Sequence, residues 1–155
     1  MHSSSVQTEN FVDLLNGLVT GMDETIGLRF VSATVDEIVA TVTVGPHLHQ
    51  PYGLVHGGVY ASMIESLASS GAALTGMQRD QSVVGLENTT SFLRAVRTKE
   101  LRGVARPLVR GRKFHVWEVN VFRDDGKLVA TGRVRMACLE QGTLVAGQEP
   151  QVKGG

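Results

Sequence analysis

Cysteine is almost absent from this sequence of 155 residues. The single one, Cys138, has no second cysteine with which to form a disulfide within the chain. The same count excludes zinc sites built on several cysteines. His47, His49 and His56 lie within ten residues of each other, so a histidine metal site is conceivable, but no nearby cysteine or aspartate completes it. We therefore expect no metal site.

Net charge and long apolar runs are lacking as well. Fifteen Lys and Arg balance fifteen Asp and Glu, so the chain as a whole has no charge to attract nucleic acid or an anionic membrane. No run approaches the roughly 20 apolar residues of a membrane-spanning helix. Residues 1–10 contain no Lys or Arg and no long apolar stretch, unlike a secretory signal. We therefore expect a cytoplasmic protein with neither nucleic acid nor membrane as a partner.

Hydrophobic residues make up 42% of the chain, which suffices for one folded domain. Helical spacing predicts a short helix over Asn10–Met22 and a long one that follows the loop Gly53–Gly57 and ends near Met77. The β-type stretches are, in chain order, Ile26–Ser32, Glu37–Val44, Ser82–Arg94, Leu101–Val109, Phe114–Arg123 and Leu128–Leu139. This order predicts an α+β fold in which an antiparallel sheet curls around the long helix. We expect an N-terminal segment at 1–22, the domain at 23–140 and a flexible tail at 141–155.

Charge is scarcest around the long helix, because Glu65 is the only charged side chain from Ile38 to Gln78. A helix with a solvated face would carry several. We therefore expect the sheet, and another subunit, to cover this helix and to leave Glu65 in apolar surroundings. One interpretation is a structural carboxylate that is bonded by the serines around it, Ser62, Ser66 and Ser69, or that reaches water. The other is a functional group, since buried carboxylates cluster at active sites.

The start of the long helix suits the binding of a developing negative charge. A helix that begins at Gly57 exposes free N–H groups at the positive end of its dipole. His56 and Gln50, in the loop before it, can hydrogen-bond a substrate, although a loop residue of either type more often serves a turn. Gly57 and Glu65 are about 12 Å apart along one helix. If both act on one atom, Glu65 comes from a second, antiparallel copy of the helix, which gives a homodimer with two equivalent sites.

Eight of the twenty residues from Arg94 to Lys113 are basic, and only Glu100 is acidic. Basic residues at alternate positions of a strand can simply face solvent, and this is one interpretation of each. The other is a patch for a phosphorylated ligand, which is strongest for Arg94 and for Arg112 with Lys113 at a turn. The stretch has few aromatic residues for base stacking, so nucleic acid is not the expected ligand.

These residues resemble a known family, the hotdog-fold acyl-CoA thioesterases of the phenylacetate-pathway (PaaI-like) type. Within it, the 1,4-dihydroxy-2-naphthoyl-CoA and aryl thioesterases are most similar. The resemblance covers residues 27–139 and rests on four segments, His49–Gly58 (HQPYGLVHGG), Glu65-Ser66, Val83–Glu87 (VVGLE) and Val116–Val119 (VWEV). It implies a hotdog fold, a sheet wrapped around one central helix.

The resemblance also implies roles for single residues. Those matched to the reacting group are Gln50 and His56, which orient the substrate, Gly57, whose N–H binds the thioester carbonyl, Glu65, the nucleophile or general base, and Ser69, which positions water. Arg94, Arg112 and Lys113 match positions that contact the nucleotide of CoA. The chain departs from some naphthoyl-CoA enzymes at Phe92, where those have a histidine beside the acyl pocket.

The activity that this family implies is hydrolysis of an acyl-CoA thioester, with an aromatic acyl group such as dihydroxynaphthoyl or hydroxybenzoyl, and without a metal or redox cofactor. Medium-chain acyl-CoA and acyl-carrier-protein thioesters stay open as substrates. An enoyl-thioester hydratase and a non-catalytic acyl-CoA sensor are the rival functions. The family also implies that the homodimers assemble into a homotetramer.

Overall fold

The computed structural model describes residues 11–97 and 99–152. Three helices occur among them, α1 at residues 11–17, α2 at Gly21–Ile26 and α3 at Gly57–Met77. A 3-10 turn lies at Pro46–Leu48. The strands are β1 Arg29–Ala33, β2 Ile38–Val44, β3 Gln81–Phe92, β4 Lys99–Arg110, β5 Phe114–Arg123 and β6 Leu128–Glu140.

The six strands form one antiparallel sheet in the order β1-β2-β4-β5-β6-β3. Helix α3 lies on one face of it and contacts β2, β3, β4, β5 and β6. The core lies between the two, where Met63, Ile64 and Leu67 of α3 are fully buried against the sheet. The predicted α+β architecture is therefore confirmed.

One close approach fixes α3 on the sheet. A Cβ at Gly71 would lie 2.3 Å from the Trp117 ring, and that ring is fully buried. Only glycine allows the helix backbone to rest on the indole at this distance. The apolar stripe of α3 and the inward side chains of β5 thus meet at van der Waals contact.

The N-terminal part differs from the sequence prediction. The predicted helix Asn10–Met22 begins outside the described residues, and the described part is broken between α1 and α2, where Thr20 is extended and Gly21 has a φ of 57°. The predicted strand Ile26–Ser32 begins three residues later, at Arg29. Ile26 instead ends α2, and Gly27 caps that helix with a left-handed φ of 72°.

The two edges of the sheet are covered differently. The Asn16 side chain donates to the Phe30 carbonyl and accepts from the Phe30 N–H, both at 2.9 Å, so α1 covers the edge strand β1. Strand β3 is the opposite edge and pairs only with β6 within the described chain. Its second side is therefore open to another strand.

The remaining strand ends agree with prediction within about two residues. After β6, residues 141–152 are exposed and contain one bridge, between Val145 and Gln148. The predicted segments at 1–10 and 153–155 lie outside the described residues. No helix within 11–97 and 99–152 is long and apolar enough to cross a membrane.

Candidate active site

The N-terminus of α3 is capped by His56. Its Nδ1 accepts a hydrogen bond of 2.8 Å from the Gly58 N–H, and its carbonyl accepts from the Val59 N–H at 2.9 Å. A neutral imidazole that accepts at Nδ1 carries its proton on Nε2. The exposed His56 ring therefore caps the helix through Nδ1 and presents an N–H donor at Nε2.

The N–H of Gly57 is the free donor at this helix end. It makes no hydrogen bond with any residue of 11–97 or 99–152, whereas the next two N–H groups are bonded to His56. It also lies at the positive end of the dipole of a 21-residue helix. Such an N–H is suited to bind a carbonyl oxygen on which negative charge develops.

An open cleft of about 320 Å³ surrounds Gly57. Three of the residues predicted from the sequence, Gln50, Gly57 and Arg94, line it together, and Tyr60 and Phe92 form part of its wall. The Gln50 Oε1 accepts from the Tyr52 N–H, which fixes the side chain. Its amide nitrogen makes no hydrogen bond within the described chain, and so it can donate to a ligand.

Arg94 stands at the edge of this cleft. Its Nη1 donates to the Leu128 carbonyl at 2.7 Å, which anchors the guanidinium to the start of β6. The side chain is exposed, and it makes no ion pair with a described residue. It is thus available to a ligand phosphate.

Glu65 lies on the side of α3 that faces β3. Its Oε2 accepts a hydrogen bond of 3.3 Å from Asn88 Nδ2, which also donates to the Ala61 carbonyl at 3.0 Å. Its Oε1 lies so near Gly85 that a Cβ there would be 3.0 Å away. Asn88 therefore orients the carboxylate, and Gly85 leaves the space that it occupies.

The predicted apolar surroundings of Glu65 are not found within one chain, where Glu65 is exposed. The idea that serines bond it is also wrong. Ser62 donates to the Gly58 carbonyl at 2.8 Å and Ser66 to Asp23 Oδ1 at 2.5 Å. The half-buried Ser69 makes no hydrogen bond within 11–97 and 99–152. None of these three serines therefore hydrogen-bonds the Glu65 carboxylate within the described residues.

Gly57 and Glu65 are not brought together in one chain. Eight residues of continuous helix separate them, which is about 12 Å along the axis. One carbonyl group cannot reach both from the same protomer. A catalytic site that uses both needs a second chain.

Arg112 and Lys113 are also far from the cleft. They lie in the turn between β4 and β5, and Arg112 lines a separate cleft of about 400 Å³ with Arg79, Gln81 and Glu140. That cleft is beside the C-terminal end of α3, about 30 Å along the helix from Gly57. Within one protomer, Arg94 therefore cannot act on the same phosphate as Arg112.

Much of the predicted basic stretch is neutralised by acidic partners. Arg106 pairs with Glu37 at 2.5 Å, Arg110 with Asp36 at 2.7 Å and Lys99 with Asp124 at 3.0 Å. For these three residues the structural interpretation holds. The other five basic residues of the stretch have no acidic partner among the described residues, so the ligand interpretation stays open for Arg94, Arg97, Arg102, Arg112 and Lys113.

The three neighbouring histidines do not converge. His49 bonds the Arg97 carbonyl at 2.6 Å through Nε2, and His56 caps α3. Within 11–97 and 99–152, no three His, Cys, Asp or Glu side chains are arranged to hold a metal ion.

Two polar groups near the site were missed by the sequence analysis. Asn88 was one, although asparagine within a strand is unusual enough to be a signal. Asp23 of α2 was the other. Burial raises the pKa of its carboxyl, and the hydrogen bond from Ser66 opposes this rise. No signal in the sequence pairs Asp23 with Ser66, because the two are 43 residues apart.

The chain is similar in sequence to a known protein family and to single known proteins. The family described as the thioesterase superfamily matches residues 52–130. The chain is 38% identical over 130 residues to the proofreading thioesterase EntH of Cronobacter sakazakii, which covers 83% of this chain and 93% of that one. It is 33% identical over 129 residues to the 1,4-dihydroxy-2-naphthoyl-CoA hydrolase of Escherichia coli K12, at 83% and 94% coverage.

A solved structure is similar as well. The structure of a thioesterase from Haemophilus influenzae superposes with a TM-score of 0.80 at 27% identity, over 85% of this chain and 92% of that one. The hotdog fold predicted from the resemblance is confirmed by this likeness, together with the long central helix on a six-stranded sheet.

Proposed function

Since the chain belongs to the thioesterase superfamily and is a thioester hydrolase, we propose that it hydrolyses aromatic acyl-CoA thioesters to the free acid and CoA. The observation that carries this proposal is the Gly57 N–H. It is unbonded within the described chain, it begins a long helix, and it opens into a cleft shared with Gln50 and Arg94.

The carbonyl oxygen of the thioester binds at the Gly57 N–H. Negative charge grows on this oxygen as the carbonyl carbon is attacked, and the helix dipole and the N–H stabilise that charge. The Gln50 amide and the Nε2–H of His56 supply further donors that orient the substrate. No metal or redox cofactor takes part in this scheme.

Glu65 of a second subunit provides the carboxylate. In one route it attacks the carbonyl carbon, the CoA thiolate leaves, and water hydrolyses the resulting anhydride. In the other it takes a proton from a water molecule that attacks the same carbon, with Ser69 positioning the water. Both routes need the carboxylate accessible to substrate, as it is on this protomer.

A homodimer about a two-fold axis assembles this site. The open edge of β3 and the exposed Glu65 lie on the same side of α3, so a second copy added at this edge brings two α3 helices side by side. Antiparallel helices that place Gly57 beside Glu65 of the partner subunit also place the reverse pair together. The same contact creates both sites, and we expect such dimers to pair into a homotetramer.

The same arrangement explains the distant basic residues. With Glu65 of the partner subunit opposite Gly57, the partner's helix runs twelve residues further, which is about 18 Å beyond Gly57. The partner's Arg112 and Lys113 then lie on the side of the cleft where Arg94 stands. We propose that these three residues contact the nucleotide of CoA, two from one subunit and one from the other.

Two other classes of thioester are alternatives to an aromatic acyl-CoA as the substrate. A thioester carried by an acyl carrier protein is the second candidate. A medium-chain acyl-CoA is the third.

The test is thiol release from aryl-CoA, straight-chain acyl-CoA and carrier-protein thioesters. The wild-type chain is compared with Glu65→Gln, which keeps the size of the side chain, and with Glu100→Gln, a matched change on the exposed surface of β4. We expect Glu65→Gln to lower kcat/KM about 10³-fold or more on the best substrate and Glu100→Gln to leave it unchanged. The ranking of thioesters identifies the acyl class.

Two results would contradict the proposal. Full activity in Glu65→Gln would remove the carboxylate from the mechanism. Binding of CoA thioesters without hydrolysis of any of them would favour the sensor.

A further inference from the structure

The strand beside the Glu65 carboxylate contains a β-bulge. In the pairing of β3 with β6, Gly85 pairs with Met136 and Glu87 pairs with Arg135, so Leu86 is an extra residue on β3. Side chains along a strand alternate between the two faces of the sheet, and one extra residue reverses that alternation. The residues of β3 that follow the bulge therefore face the opposite way from an unbroken strand.

The bulge decides which side chains of β3 face α3. Thr90 pairs with Gly132, which lies against Ile64 of α3. Paired residues share a face of the sheet, so Thr90 faces the helix, and so does Asn88 two residues before it. If the alternation continued unbroken through the bulge, Glu87 would face the helix and Asn88 would face outward. The bulge thus places a neutral amide beside the carboxylate of α3, where a second carboxylate would repel it.

The amide of Asn88 is fixed in one orientation. Its Nδ2 donates to the Ala61 carbonyl at 3.0 Å and to Glu65 Oε2 at 3.3 Å, and its Oδ1 accepts from the Thr90 hydroxyl at 2.7 Å. A backbone carbonyl only accepts, so the amide nitrogen must lie on the side of α3. The Thr90 hydroxyl then holds the oxygen end, and both hydrogens of the amide are used.

The two oxygens of the Glu65 carboxylate have different surroundings. Asn88 holds Oε2, whereas Oε1 makes no hydrogen bond with any residue of 11–97 or 99–152. Oε1 lies beside the exposed Gly85, where a Cβ would be 3.0 Å from it. Because glycine has no side chain, this oxygen stays open to a ligand.

We propose that Asn88 is a positioning residue and that Oε1 of Glu65 is the oxygen that acts on the thioester. With Oε2 held, Oε1 is already in place to bond the carbonyl carbon as the CoA thiolate leaves, or to take the proton of an attacking water. Thr90 acts through Asn88. This inference rests on the proposed thioesterase function and assigns the separate roles of the two carboxylate oxygens.

The first test removes the amide. Asn88→Leu keeps the approximate size of the side chain, and thiol release from the best thioester should show a kcat about 10- to 100-fold lower. KM should change little, because Asn88 acts on the carboxylate and not on the substrate. In the Glu65→Gln background the same substitution should cause no further loss, whereas a structural role would lower activity in both backgrounds.

The second test returns a donor to the same position. When the carboxyl of Asn88→Asp is protonated, it can donate to Glu65 as the amide does, but two ionised carboxylates repel each other. The kcat of Asn88→Asp relative to wild type should therefore be low near about pH 8 and should recover near about pH 5. Asn88→Leu should show no such recovery, since it has no group to protonate.

The third test compares two neighbouring threonines. Thr90→Val removes the hydroxyl that holds the Asn88 oxygen, and kcat should fall about 5-fold, the effect of one neutral hydrogen bond. Thr89→Val is the matched control. Thr89 lies on the outer face of the same strand, and its hydroxyl donates to Glu87 at 3.3 Å. Its kcat should equal that of the wild type.

Each other outcome overturns a definite statement. If Glu65→Gln is inactive and Asn88→Leu keeps the wild-type kcat, the inference is wrong and the proposed function stands. Equal losses from Asn88→Leu with and without Glu65→Gln would make the residue structural and would also refute the inference. If thermal unfolding shows that Asn88→Leu does not fold, the pH profile of Asn88→Asp and the threonine pair decide. If the wild type hydrolyses no thioester, the proposed function fails and the inference fails with it.

Discussion

Two inactive variants of this chain should restore activity to each other if every site combines Gly57 of one subunit with Glu65 of the other. The first variant, Gly57→Pro, removes one hydrogen-bond donor and disturbs little else. Gly57 is the first residue of α3, a position that proline favours. The preceding residue, His56, has a ψ of 136°, which suits a residue before proline.

The neighbours of Gly57 also tolerate this change. The lost N–H makes no hydrogen bond within the described chain. The atoms nearest to a Cβ at this position belong to the ring of Phe92, and this exposed ring can turn away. The second variant, Glu65→Ala, truncates an exposed side chain. Both chains are therefore expected to fold, and each should be inactive alone because each homodimer lacks the same group in both sites.

The size of the recovery follows from random exchange of subunits. In an equal mixture, about half of the dimers contain one chain of each kind. Such a heterodimer has one site with both groups intact and one with neither. About one quarter of all sites are then complete, so we expect about 25% of the wild-type activity at equal total protein. If both groups acted within one chain, the mixture would stay inactive.

A second mixture serves as the control. The wild type is mixed with a chain that carries both Gly57→Pro and Glu65→Ala. With shared sites, each heterodimer has two broken sites, and only the quarter of dimers that are wild-type homodimers work, so about 25% of the activity remains. With sites inside one chain, about 50% would remain. A shared site therefore gives the first mixture more activity than a site within one chain would, about 25% instead of none. It gives the second mixture less, about 25% instead of about 50%.

The assay is thiol release after the chains are unfolded and refolded together, with two affinity tags to confirm that subunits have exchanged. An inactive first mixture together with 50% activity in the second would refute the shared site. It would then be necessary to find another donor for the carbonyl near Glu65 within one chain.

Two further predictions concern stability. Gly71→Ala forces a methyl group against the buried ring of Trp117, and urea unfolding should show a loss of about 1–3 kcal/mol. Gly17→Ala, in α1 with no atom within 4 Å of the new Cβ, should stabilise by up to about 1 kcal/mol. Equal stability of the two variants would contradict the Trp117 contact. The raised pKa of Asp23 means that its charged form destabilises the fold, so stability from this group is present at low pH and is lost as pH rises through the folded-state pKa. Asp23→Asn, which can keep the bond from Ser66, should therefore unfold at a higher temperature than the wild type at pH 7, and this advantage should vanish in acid.

The helices and strands whose apolar residues recur at a regular spacing were predicted from the sequence. The apolar spacing around Met63 and Leu67 gave α3, because one face of that helix is buried along its whole length. The strands β4 to β6 were predicted for the same reason, since their buried positions alternate. The turn that joins β5 to β6 contains Gly126, whose φ of 79° requires a residue such as glycine.

The N-terminal part was predicted less well because its apolar residues are compatible with two structures. Ile26 fits the helical face of α2 and also the start of a strand, and the spacing alone does not decide between them. Gly27 does decide, since a glycine directly after an apolar position commonly ends a helix in the left-handed conformation. The break at Gly21 depends on the packing of α1 on β1 through Asn16, which is a tertiary contact.

The candidate site was predicted by residue type but not by geometry. Gln50, Gly57 and Arg94 share a cleft because the loop before α3 and the end of β3 meet there. The sequence could not show that Asn88 holds the Glu65 carboxylate, because that contact depends on how β3 lies beside α3.

The exposure of Glu65 and the scarcity of charge around it have a single explanation. A helix whose outer face meets water normally carries charged residues there, yet Glu65 is the only charged residue of α3. The sheet covers just one face of α3, and the sequence pattern therefore describes surroundings that one chain does not provide. A second α3, equally free of charge and placed against the open edge of β3, would provide them. The same contact would bring each carboxylate to the unbonded Gly57 N–H of the other chain. One proposed interface therefore accounts for the scarcity of charge on α3 and also joins the two proposed catalytic residues, which are about 12 Å apart in one chain.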